Sequence, residues 1–127
     1  MLRLILVLIL VCLGGCGTTV VQEFPLAKFK AEAALDRGIR EYDNGEYRVA
    51  ARTIQGALDA GLTTRSQGRA HKYLAFIHCV AREQAACRDQ FRLAFKADPR
   101  LELAPEESGH PMWDPVFRSV RMEMAKK

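Results

Sequence analysis

Tyr42-Asp43-Asn44-Gly45-Glu46-Tyr47-Arg48-Val49-Ala50 reads as the end of one helix, a tight turn and the start of a second helix. Asn and Gly tolerate left-handed backbone, which places the turn at Asp43-Asn44-Gly45. Outward from it, Gly38, Ile39, Tyr42, Ala50, Ile54, Ala57 and Leu58 are answered 37 positions later by Ala75, Phe76, Cys79, Cys87, Phe91, Ala94 and Phe95. In each copy a small residue on the first helix is followed twelve later by a small residue on the second, then by a bulky apolar residue and another small one. Small residues let antiparallel helices approach closely, and bulky ones fill the gap to the next pair. Neither hairpin can bury its apolar face alone, so the two are expected to stack. The expected fold class is all-α, a solenoid of about two helical hairpins.

This spacing resembles the tetratricopeptide repeat (TPR). In Ala31–Thr64 the matching residues are Gly38, Tyr42, Gly45, Tyr47, Ala50, Ile54, Ala57 and Leu58. In Gly68–Leu101 they are Leu74, Ala75, Cys87, Phe91, Ala94 and the closing Asp98-Pro99. The second copy departs from the pattern at Arg82 and Gln84, where the family often has Gly and an aromatic, and at His78, where it often has Tyr. The resemblance covers residues 31–101. It implies a concave groove lined by the first helix of each repeat, which takes a peptide or partner helix. By position that groove comprises Glu32, Leu35, Ile39, Tyr42 and Asp43, then Arg69, Lys72, Phe76 and His78. Tyr42 and Phe76 beside Arg69 and Lys72 would suit an apolar anchor next to an acidic group. Ile39, Tyr42 and Phe76 read equally well as core between helices, and a flat protein–protein contact is the alternative use of the surface.

The chain starts with an address. Met1-Leu2-Arg3 is basic, and Leu4 to Leu13 is an unbroken apolar run of ten residues. Ten residues are too few for a lasting membrane span and suit the core of a signal peptide. Leu13-Gly14-Gly15-Cys16 follows, and it resembles the bacterial lipobox. The resemblance implies cleavage after Gly15, with Cys16 becoming an acylated N-terminus. Each buried methylene contributes ~0.8 kcal/mol, so several chains together hold firmly. An ordinary secretory signal with a stray Cys is the plainer reading. Gly17 rather than Asp after the Cys implies, by enteric-type sorting, the outer membrane's periplasmic face.

The segments expected are therefore a signal peptide at 1–15, a lipidated tether at 16–26, two hairpins at 27–101 and a capping segment and helix at 102–127. Residues 16–127 suffice for one small domain. Losing Arg3 lowers the formal net charge by one from +4. Basic residues are interleaved with acids, without a run of five or six, so they read as a solvated surface and not as a nucleic-acid footprint. Helices are expected over Ala27–Tyr42, Glu46–Ala60, from a Thr64-x-x-Gln67 capping box to about Cys79, and Glu83–Ala97. Gly61 suits the C-cap of the second, and Asp98-Pro99 stops the fourth. Leu101–Ser108 should hold one helical turn. Asp114-Pro115 reads as an N-cap with proline in the first helical position, opening a last helix that covers the second hairpin with Val116, Phe117, Val120 and Met124. Trp113 should pin the preceding loop.

Reactive chemistry is sparse. Cys79 and Cys87 lie on either side of a short turn, in a compartment expected to be oxidising. They could form a disulfide, pack as two small apolar residues, or serve in a reactive or metal-bound role with His78. The spacing fits no common structural zinc pattern. His71 reads as core or groove, and His110 could bond a neighbouring backbone group. No phosphate-binding loop, nucleophile elbow or paired catalytic carboxylates are found in the sequence, so neither an enzyme nor a cofactor is expected beyond a covalent lipid on Cys16. The resemblance to TPR lipoproteins implies, as the leading expectation, a membrane-tethered adaptor or assembly factor for an envelope complex such as a secretion system or pilus. A structural lipoprotein without a groove ligand comes second, and a metal or redox protein using Cys79, Cys87 and His78 comes last.

Overall fold

The computed structural model describes residues 26–127, and that part of the chain is all-helical. Its helices are α1 (Leu26–Asp43), α2 (Tyr47–Ala60), α3 (Thr64–Val80), α4 (Gln84–Ala97) and α5 (Asp114–Ala125). The expected signal peptide, Cys16 and nearly all of the tether lie outside the described residues. No helix among the described residues is long and apolar enough to cross a membrane.

α1 packs along α2 and α3 along α4, so two hairpins form. α3 touches both helices of the first hairpin, and α5 packs on α4. Glycine sets the first crossing: a Cβ added to Gly38 would sit 2.6 Å from Cγ1 of Ile54. Ala31, Leu35 and Ile39 of α1 bury against Ile54 and Ala57 of α2 and Leu62, Ala70 and Leu74 beyond it. In the second hairpin Ala75, Phe76 and Cys79 bury with Cys87, Phe91, Ala94 and Phe95, and α5 adds Phe117 and Val120. Tyr73 packs on both clusters and joins them.

The turn between helices repeats bond for bond. In the first hairpin Asn44 N–H donates to Arg40 C=O, Gly45 to Tyr42 and Glu46 to Glu41. In the second, Ala81 donates to Ile77, Arg82 to Cys79 and Glu83 to His78. Every partner has moved by the same 37 positions that the sequence shows. Gly45 has φ 79°, and Arg82, its counterpart, has φ 63°. A side chain in that left-handed region costs roughly 1 kcal/mol, so the second turn holds its shape against local preference.

Two caps differ from expectation. The N-cap of α3 is Thr63, whose Oγ1 accepts the Ser66 N–H at 3.3 Å, while Gln67 Nε2 reaches back to Leu62 C=O at 2.9 Å. Asp114 lies inside α5, with Trp113 at the N-cap position. Its carboxylate accepts the Gly109 N–H and the Arg118 guanidinium, tying the loop to the helix instead of capping it. The expected turn near Leu101–Ser108 is present, with Ser108 N–H bonding Ala104 C=O at 3.1 Å.

Candidate interaction surface

α1 and α3 lie side by side, and an aromatic chain runs across them. Tyr42 of α1 stands 5.3 Å from Tyr47, 5.1 Å from Tyr73 and 6.2 Å from Phe76 between ring centres. Phe76 stacks on Trp113 at 4.3 Å, and Trp113 stacks on His110 at 3.4 Å. Tyr42 meets Tyr73 edge-on, a favourable arrangement for aromatic rings, whereas Trp113 and His110 lie face to face. Burial, then the neighbouring phenols and the Glu107 carboxylate, push the Tyr42 phenol up. Burial first, and then Glu107 and Asp43, push Tyr73 up to about 12. Both phenols stay neutral donors through the whole physiological range.

Lys72 ends in the middle of this cluster. Its Nζ lies 2.7 and 2.9 Å from the two carboxylate oxygens of Glu107, 5.3 Å from the centre of the Tyr73 ring and 5.7 Å from that of Phe76. Glu107 also accepts the Ala104 N–H at 2.8 Å, and its own carbonyl accepts Trp113 Nε1–H at 2.9 Å. The segment from Leu101 to Trp113 is thus laid on α3 by one ion pair and one indole.

This covering corrects the expected groove. Leu35 has no exposed surface, Phe76 retains 1% and Ile39 6%, so none of the three lines an open cleft. Leu35 and Ile39 are core between α1, α2 and α3, and Phe76 lies beneath Trp113. Lys72 is buried with its charge already matched by Glu107. Glu32 is occupied as well, accepting the Ser66 hydroxyl at 2.6 Å and the Thr63 N–H at 3.2 Å. Burial raises its carboxyl, but those bonds and Arg69 outweigh it and hold the group below its ordinary 4.5. Tyr42 is half-buried among the rings. Arg69 stays at the surface, bonded to Asp36 at 3.0 Å with both side chains about half exposed. On this face Asp36, Asp43, Tyr47 and Arg69 are exposed, and Tyr42, Tyr73 and His78 are partly so.

Glu107, Tyr73 and Asp36 were not singled out from sequence. Glu107 lies outside the repeat, and no spacing rule links it to a lysine 35 residues earlier. Tyr73 and Asp36 occupy one register position, 37 apart, so the repeat could have paired them as neighbours of the groove positions.

Cys79 and Cys87 are joined as a disulfide, with Cα atoms 5.1 Å apart and no exposed surface. Both thiolates of the suggested metal or redox group are thereby consumed. His78 Nδ1 bonds Glu83 Oε2 at 2.5 Å, closing the same turn from outside. His71 Nδ1 lies 2.8 Å from Gln90 Oε1, and His110 Nδ1 accepts the Met112 N–H at 3.2 Å. Among the described residues no group of three or more His, Cys, Asp and Glu side chains could hold a metal ion. Comparison with protein-family models, curated proteins and solved structures gives no match.

Proposed function

We propose that this chain is a TPR-like lipoprotein that acts as a protein–protein adaptor or assembly factor in a bacterial cell envelope. Lipid on Cys16 holds it at the membrane, facing the periplasm from the outer membrane. Its partner is a protein or peptide of an envelope complex such as a secretion system or pilus. The observation that carries the TPR-like reading is the turn whose hydrogen bonds recur with the 37-residue period of the sequence. The lipid reading rests on Leu13-Gly14-Gly15-Cys16 behind a ten-residue apolar run.

A second reading has its own support. Leu35, Ile39, Phe76 and Lys72 are already filled or matched from within the chain, which favours a structural subunit contacting its complex through flat faces. One experiment separates the two. The mature protein is affinity-purified from membranes in mild detergent, beside Arg69→Glu and Tyr47→Ala variants, and its intact mass is measured. A single co-purifying envelope protein that both variants lose supports the adaptor. Retention of the partner by both variants moves the contact off the α1–α3 face and supports the structural subunit. A mass without acyl groups removes the anchor.

A further inference from the structure

The outward face of α1 carries Leu26, Phe29, Lys30, Ala33, Arg37 and Arg40, which fall on one side of the helix at its 3.6-residue period. The opposite side is the one buried in the core through Ala31, Leu35, Gly38 and Ile39. Phe29 is 72% exposed and Leu26 54%, making Phe29 the most exposed large apolar side chain among the described residues. Phe29, Lys30, Ala33, Arg37 and Arg40 line one shallow depression with Ala34. Of the α1 carboxylates, Glu32 bonds Thr63 and Ser66 and Asp36 bonds Arg69, while Asp43 is exposed at the C-terminal end of the helix. Glu41 holds Arg37 at 3.7 Å. An apolar row flanked by Lys30 and Arg40 therefore faces away from the protein.

We infer that this face of α1 rests on an anionic membrane surface. Apolar side chains dipping into the headgroup boundary beside lysines and arginines are the composition of interfacial helices. The inference relies on the proposed anchor for its distance. Residues 17–25 separate Cys16 from Leu26, and nine residues reach at most roughly 30 Å even when fully extended. The basic charge complements anionic headgroups, and α1 is the described helix nearest in sequence to the lipid attachment.

Trp113 is the single native tryptophan and is buried, so an added tryptophan can be read against a steady background. Ala33→Trp places the probe in the face while keeping Phe29, and Met122→Trp places one at an exposed position on α5. Full-length protein matured in cells is reconstituted into vesicles containing brominated phosphatidylglycerol, and into vesicles of brominated phosphatidylcholine alone. The expected result is a blue shift and loss of Ala33→Trp emission in the anionic vesicles only, with Met122→Trp unchanged. That quenching should disappear in about 0.5 M salt, where charges are screened beyond ~4 Å, and in the added Lys30→Glu/Arg40→Glu background. An unquenched, water-like Ala33→Trp spectrum on vesicle-bound protein overturns the inference. So does a blue shift without lipid, which would assign the face to a second copy or another protein. Intact mass keeps the anchor separate: if acyl groups are missing, the same chain mixed with anionic vesicles still reports quenching or its absence.

Discussion

Lys72 and Glu107, 35 residues apart, form a buried ion pair at 2.7 Å that fastens the segment before α5 to the face of α3. Neither residue belongs to the repeated pattern in a way that foretells the other. Removing one partner leaves the other charge buried, which costs about 3 kcal/mol. We expect Glu107→Ala and Lys72→Met each to lower stability by that amount in urea unfolding. The Lys72→Met/Glu107→Leu double variant should recover most of the loss, since no lone charge remains. Equal losses that simply add would show that the pair is not coupled.

The glycines divide by what surrounds them. Gly38→Ala and Gly68→Ala would bring a Cβ to 2.6 Å from Ile54 Cγ1 and 2.8 Å from Asp98 Cβ. Each should destabilise by roughly 1–3 kcal/mol through overpacking. Gly56 lies within α2 with nothing within 4 Å of an added Cβ. Gly56→Ala should stabilise by about 0.5–1 kcal/mol, because alanine favours the helix. Thermal melts of the three variants test the ordering.

The two equivalent turns make opposite predictions. Gly45→Ala puts a side chain at φ 79° and should cost roughly 1 kcal/mol, with no clash to add to it. Arg82→Gly relieves a side chain already at φ 63° and should gain a similar amount. Chemical denaturation of both variants measures the pair, and a loss on Arg82→Gly would refute the equivalence.

The disulfide closes a loop with a sequence separation of eight. Loop entropy then predicts that Cys79→Ala/Cys87→Ala lowers stability by about 2.5 kcal/mol. Because both residues are fully buried, alkylation of the native protein should leave the peptide pair linked until reductant and denaturant are combined. Mass mapping of the linked peptide checks this directly.

Acid should destabilise the fold through three carboxylates. Asp114 is held below its ordinary 3.8 by Arg118 and then the Gly109 N–H. Glu123 is held below 4.5 by Arg92 and then Arg88 despite some burial, and Glu32 by its bonds to Ser66 and Thr63. Since the folded values are depressed, the unfolded chain takes up protons first as pH falls. The stabilisation is present above the ordinary carboxylate range and is lost as pH drops through the folded values. Melting temperature should fall on going from about pH 6 to pH 3, and Glu123→Gln should flatten that slope.

Much of the architecture was readable because helices carry it in local periodicities. Gly38 with Ile54, and the small and bulky residues 37 positions on, fixed which faces meet, since close helix contacts demand a small residue where backbones approach. Gly45 announced its turn through a backbone preference. Thr63 was missed as the cap of α3 because Thr64 offers the same chemistry one residue later, and only Ser66 N–H decides between them. Asp114 was misread for a similar reason: its partner, Gly109, lies in irregular chain that no period describes.

The sequence by itself determined the helices, their hairpin pairing and the nearness of Cys79 to Cys87, because those depend on neighbours within one or two turns or one short connection. Tertiary structure alone decided that the disulfide forms and is buried, that Leu35 and Phe76 are core, and that Lys72 is satisfied by Glu107. The covering of Phe76 and the pairing of Lys72 depend on where residues 101–113 come to lie, a path set by the packing of Trp113 and one ion pair, whereas Leu35 is buried by the stacking of the first hairpin on α3.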